Sequence, residues 1–195
     1  MTRVRPSTAP KMDCCRRPVQ TKVRPTGAIA VIPCARVLKG GNLNVYNDDG
    51  ATKAPEFSET MVRVNYSETD QMGVVYHARY LVWLDIARCD YLRQNGMTYR
   101  DLENQGLRLA VSEMSIKYRQ PARYDDLVRV LCWVRSVASR RVEFGYLVED
   151  ADDRRLLATA TTSLLALDTA MSLTRLPAAV REKLHPVTDP VKLGT

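Results

Sequence analysis

Tyr66-Ser-Glu-Thr-Asp70-Gln-Met-Gly73-Val-Val-Tyr76-His77-Ala-Arg-Tyr80, running straight into Leu81-Val-Trp-Leu-Asp85-Ile-Ala87, is the stretch from which the architecture of this chain is read. It places a short acid, a glycine and a histidine ahead of an apolar helical pattern. Apolar residues at 81, 84 and 91 and at 82, 86 and 89 predict a helix over 80–94 that is apolar on most sides and stops at Asn95-Gly96. Such a helix must be wrapped by other elements. Asp70 and His77 are therefore expected to flank the start of a buried helix, where unpaired backbone N–H groups concentrate partial positive charge. An enzyme is the leading reading of that arrangement.

The wrapping material is read on either side of it. Residues 57–66 form a strand-like run before the motif, and four more follow at 107–118, 127–137, 141–149 and 156–167. Val128, Val130, Cys132 and Val134 alternate with Arg129, Leu131, Trp133 and Arg135, and the next run repeats that period of two. Asp150-Ala151-Asp152-Asp153 and Ala138-Ser139-Arg140 read as hairpin connections, so the strands are expected to form an antiparallel meander. One long helix after the first strand, then four strands with short links, is an α+β layout: the helix lies on a single curved sheet of about five strands.

The 195 residues, 45% hydrophobic and 26% charged, suit one ordinary domain plus a tail. Residues 1–47 carry nine Lys/Arg against one acid, Asp13, a charge of +8; with the whole chain at +7, the remainder is −1. A body so near neutrality lacks the electrostatic footprint of a nucleic-acid binder. Residues 1–55, with six prolines and no periodicity, read as a disordered basic extension, against which stand a transit peptide, an artificial remnant and a start placed too early. The folded domain is assigned to 56–185 and a short tail to 186–195. The longest apolar run, 28–34, is interrupted by Pro33 and is too short to span a bilayer. Five cysteines without a CxxC spacing fit a reducing compartment, so a cytoplasmic location is expected; with only His77 and His185 available, no metal is called for.

The block Thr69-Asp70-Gln-Met-Gly73-Val-Val-Tyr76-His77-Ala-Arg-Tyr80 resembles the hallmark of the 4-hydroxybenzoyl-CoA thioesterase-like family, hotdog-fold enzymes that hydrolyse acyl-CoA thioesters. Supporting matches are Tyr118-Arg-Gln-Pro121-Ala-Arg-Tyr124-Asp-Asp126 and Ser139-Arg140-Arg141, and the similarity runs from about residue 57 to 184. The resemblance implies the hotdog fold, an acyl-CoA substrate, no cofactor, active sites at a dimer interface, and a homodimer or homotetramer. It also implies that Ser139, Arg140 and Arg141 meet the phosphates of coenzyme A. A solvated pair of arginines at a hairpin is the equally weighted plain reading, and Arg119, Arg123 and Arg129 offer similar charge.

Hydrolysis of a thioester needs a carboxylate that attacks the carbonyl carbon or deprotonates water, and donors that hold the developing oxyanion. Asp70 is the candidate carboxylate. An arbitrary Asp-x-x-Gly is more often a turn or cap, but that need alone does not call for Asp, Gly and His together ahead of an apolar helix. Gly73 is expected to permit a tight turn that lets the N–H groups of Val75, Tyr76 and His77 face the substrate oxygen. His77 is auxiliary, with a structural histidine at even odds, and Tyr76, Tyr80 and Trp83 are expected in the pocket wall or core. Asp85 is a second-choice acid; Arg88, three residues on, makes a salt bridge its more natural role. The alternatives to hydrolysis are an acyl-thioester binding protein of the same fold, an interaction protein tethered by its basic tail, and a dehydratase of the same fold.

Overall fold

The computed structural model describes residues 56–193. Five strands, β1 (Ser58–Arg63), β2 (Arg108–Tyr118), β3 (Leu127–Val137), β4 (Arg141–Asp150) and β5 (Leu156–Leu167), make one antiparallel sheet in the order β1-β3-β4-β5-β2. Helix α1 (Arg79–Gln94) packs across β1 and β3, and two short helices follow it in the chain, α2 (Tyr99–Asn104) and α3 (Ala178–Arg181). This is the α+β, hotdog arrangement expected from the sequence.

Alternation in β3 and β4 sends Val128, Val130, Cys132, Val134, Val142, Phe144, Tyr146 and Val148 toward α1, where all are fully buried. From the helix, Tyr80, Trp83, Leu84, Ala87, Tyr91 and Leu92 meet them, a stripe at spacings of three and four. Each large apolar side chain enclosed in this way contributes about 1.5–3 kcal/mol. The opposite side of the helix is not wrapped, contrary to the sequence expectation: Val82 and Ile86 remain 42% and 41% exposed. A curved sheet of this size covers one face of a helix and leaves the other bare.

A second difference concerns β2. The meander holds for β3, β4 and β5, but β2 lies beside β5 at the far edge, in register from Arg108↔Leu167 to Tyr118↔Ala158. Alternation specifies which face a side chain takes and is silent about the neighbouring strand. The connection 119–126 consequently crosses one end of the sheet. Arg119 and Gln120 donate N–H bonds to the Leu157 carbonyl at 2.8 and 3.2 Å, and Val64 donates to that of Asp126 at 3.0 Å. Helix α2 was not expected either, although Thr98 and Asp101 form a capping box at its start.

At the other end of β3, Pro186 bridges to Val134, and Asp189 accepts bonds from the Trp133 indole at 3.0 Å and from Arg135 at 2.9 and 2.8 Å. Trp133 lies on the face of the sheet away from α1, against Gly145 of the neighbouring strand. The basic extension assigned to residues 1–55 lies outside the described residues.

Candidate active site

Between β1 and α1 the chain makes two turns that set the site. Tyr66–Glu68 is a single 3-10 turn, which ends the first strand earlier than its sequence pattern suggests. Asp70–Gly73 follows as a tight turn: Gly73 donates its N–H to the Asp70 carbonyl at 2.9 Å, and Asp70 donates to Val74 at 2.9 Å. Gly73 sits at φ +71°, the left-handed region that a side chain disfavours. Asp70 Oδ1 accepts the Met72 N–H at 2.8 Å, so the carboxylate is oriented by its own turn. Its second oxygen has no hydrogen-bond partner among the described residues.

Asp70 and His77 line one cleft of about 300 Å³, together with Met72, Val74, Tyr80, Tyr118 and the start of the 119–126 connection. Tyr76 packs against His77 with the ring planes tilted at 55° and the centroids 4.3 Å apart, and it is 46% exposed. The Tyr118 ring stands edge-on to those of His77 and Tyr80, and its hydroxyl donates to the His77 carbonyl at 2.8 Å. Burial raises the pKa of Tyr118 and, against a bond from the Ala122 N–H, that of Tyr80. Both phenols therefore stay protonated over the physiological range.

The expected set of backbone donors is corrected here. The Val75 N–H is committed to the Ala122 carbonyl at 2.9 Å and the Tyr76 N–H to the Glu68 carbonyl at 2.8 Å. Those bonds stitch the loop to the crossing connection and to the 3-10 turn. Of the N–H groups from Asp70 to Ala78, those of Gln71, Val74, His77 and Ala78 have no acceptor among the described residues. Ala78 is the N-cap of α1 and His77 precedes it, at the end where helix geometry leaves donors unpaired.

Glu68 is the residue that the sequence reading passed over. It is only 3% exposed, and it accepts bonds from the Trp83 indole (3.1 Å), the Arg79 guanidinium (3.1 Å) and the Asn65 N–H (2.8 Å). Burial would raise its pKa, but the donors from Asn65, Trp83 and Arg79 outweigh it and hold the carboxyl below its ordinary range. Its spacing from Asn65 is that of a capping box, the one local signal that it carried. Asp85 pairs with Arg88, whose buried guanidinium also reaches the hydroxyls of Tyr99 at 2.7 Å and Tyr146 at 3.3 Å. That is the structural role weighed for it.

Ser139, Arg140 and Arg141 are exposed at the β3–β4 hairpin, and Arg141 lies 3.4 Å from Glu143. Strand register sets Arg141 opposite Leu165, which faces Ala110 near the start of β2, whereas the cleft is at Tyr118, the end of that strand. Within one chain the hairpin and the cleft thus lie at opposite ends of the sheet, on the order of 25 Å apart at the rise of an extended strand. Among the described residues no three His, Cys, Asp or Glu side chains are grouped to hold a metal ion, and no helix is long and apolar enough to cross a membrane.

Comparison with known proteins bears on both fold and chemistry. Residues 64–184 match the family model of the Thioesterase-like superfamily. An acyl-CoA thioesterase of Haemophilus influenzae, YbgC, is 35% identical over 126 residues, which span 64% of this chain and 91% of that protein. The crystal structure of a DHNA-CoA thioesterase from Staphylococcus aureus superposes with a TM-score of 0.58 at 30% identity, covering 62% of this chain and 79% of that one. A variant of 4-hydroxybenzoyl CoA thioesterase superposes with a TM-score of 0.63, over 67% of this chain and all 100% of that chain; at 16% identity the likeness speaks for the fold alone. The chain belongs to the Thioesterase-like superfamily and is a hotdog-fold thioester hydrolase.

Proposed function

We propose that this protein hydrolyses an acyl-CoA thioester to the free acid and coenzyme A, with Asp70 as nucleophile or general base and without a cofactor. The observation that carries the reading is that Asp70 and His77 line one cleft at the amino-terminal end of α1. As base, the outer oxygen of Asp70 takes a proton from water while the water oxygen adds to the carbonyl carbon. As nucleophile, that oxygen adds directly and water later cleaves the anhydride. In either case the carbonyl oxygen gains negative charge, which the N–H groups of His77 and Ala78 receive. Collapse of the adduct breaks the C–S bond, and the departing thiolate recovers a proton. His77 borders the reacting groups as an auxiliary, and the Tyr76 ring packs against it.

The reading includes a cytoplasmic homodimer or homotetramer. β2 is an edge strand of eleven residues, and Val111 and Met114 on it are exposed like Val82 and Ile86 on the bare side of α1. An open, apolar edge of that length calls for a partner. A second copy added antiparallel along β2 turns its own 139–141 hairpin toward the cleft, which gives Ser139, Arg140 and Arg141 a route to the coenzyme A phosphates that they lack within one chain.

The test is Asp70→Asn. Turnover of acyl-CoA substrates is expected to fall by about 10²–10⁴-fold, with folding and assembly intact. Turnover near the wild-type value would overturn the assignment of Asp70. A wild-type protein that binds acyl-CoA and releases no thiol would instead be the non-hydrolytic acyl-thioester binder. A single turnover in ¹⁸O-water separates the two mechanisms: a general base delivers the label to the product acid, whereas a nucleophile whose anhydride is opened by water at the Asp70 carbonyl carbon keeps the label in its own carboxylate and releases unlabelled acid.

A further inference from the structure

We infer that Arg119 binds an anionic oxygen of the substrate in the Asp70 cleft. The inference rests on the hydrolase reading for the identity of the ligand as a thioester. Arg119 follows the last residue of β2, and its main chain is fixed by the N–H bond to Leu157 at 2.8 Å, with Pro121 two residues on. Its side chain is left over. Among the residues lining the cleft it is the one Lys or Arg, and it enters no ion pair or side-chain hydrogen bond among the described residues.

Three other arginines around this end of the sheet are committed, and Arg123, bonded to Asp126 only through its backbone, does not line the cleft. Arg79 pairs with Glu68 at 3.1 Å, Arg155 with Asp150 at 3.2 Å and the Pro121 carbonyl at 3.1 Å, and Arg63 donates to the Asp125 carbonyl at 2.7 Å. An exposed guanidinium in the cleft that Asp70 also lines, with no protein acceptor of its own, offers a planar fork for two oxygens of one anion. Two parts of an acyl-CoA carry such oxygens: an acyl group that ends in a carboxylate, and the phosphates of the carrier. The shared chemistry is a bidentate oxyanion.

The test uses the full chain in the Asp70→Asn background, so that thioesters bind without turning over. Dissociation constants are measured calorimetrically for butyryl and glutaryl thioesters, each on coenzyme A and on phosphate-free pantetheine, with and without Arg119→Gln. A weakening of about tenfold for both glutaryl thioesters, with both butyryl ones unchanged, places the anion on the acyl group. The same weakening for both coenzyme A thioesters, with both pantetheine ones unchanged, places it on the phosphates. Arg119→Lys is expected to recover part of the loss, because the charge survives and the fork does not. Equal losses on all four ligands, including the anion-free butyryl pantetheine thioester, or no loss on any, overturns the inference. If the protein with Asp70 intact releases no thiol while the selective binding loss persists, the hydrolase reading fails and the role of Arg119 stands.

Discussion

The hydroxyl of Tyr118, the last residue of β2, donates a 2.8 Å hydrogen bond to the carbonyl of His77, two residues before α1 begins. An edge strand on one side of the sheet thereby holds the peptide that joins His77 to Ala78, the same peptide whose N–H is proposed to meet the oxyanion. Tyr118 is a positioning residue in this account.

Tyr118→Phe keeps the ring and removes the bond. A loss worth about 1 kcal/mol corresponds to roughly fivefold, and it is expected in kcat with KM little changed, because the ring that lines the cleft remains. Steady-state kinetics on purified protein checks this. A rise in KM at unchanged kcat would make Tyr118 a substrate contact and nothing more.

Glu68 supplies a prediction about pH. Its folded-state pKa lies below the ordinary carboxylate value of 4.5, so its stabilising contribution is present above that value and is lost as pH falls through the folded-state pKa. Replacing it by Gln removes the charge that accepts from Arg79, Trp83 and Asn65, and is expected to cost about 1.5–3 kcal/mol at neutral pH. Chemical denaturation at pH 7 and again near pH 3 provides the check. The gap between wild type and Glu68→Gln should narrow at the acid end, and an unchanged gap would rule out the ionised carboxylate as its source.

Gly145 is required by packing. A Cβ there would lie 2.5 Å from the Trp133 ring, which is itself fully buried between the sheet and its surroundings. Gly145→Ala must move either the indole, bonded to Asp189, or the β4 backbone, at a cost of about 1–3 kcal/mol. A fall in Tm is expected together with altered tryptophan fluorescence. Unchanged values of both would show that the indole has room to give.

The bare edge can be tested by charge. Met114→Arg introduces a cation at an exposed position near the middle of β2, beside Thr162 of β5, so a dimer paired through antiparallel β2 strands would bring two added charges to the shared edge. The expected outcome is a shift to monomer in analytical ultracentrifugation, with turnover falling in parallel. A monomeric wild type would sink the proposal at the first measurement.

Some of the site was legible because its causes are local. Asp70, Gly73 and His77 fall within eight residues, and turn chemistry brings an acid and a glycine together whatever surrounds them. The register of apolar residues in 80–94 likewise announces a helix. Glu68 was passed over because its importance comes from Trp83 and Arg79, eleven to fifteen residues away and brought near only by the helix. The donors expected at Val75 and Tyr76 were spent on Ala122 and Glu68, partners that no local pattern names.

Residue periodicity and the motif ahead of the helix were enough for the α+β class, the one long helix and the five strands, because hydrophobic patterning and turn propensity act over a few residues. Strand order, the bare side of α1, and the separation of Ser139, Arg140 and Arg141 from the cleft were decided only by tertiary structure. The reason is physical: which strand hydrogen-bonds to which depends on how loops cross the sheet and on what each face can bury, and those are properties of the whole chain.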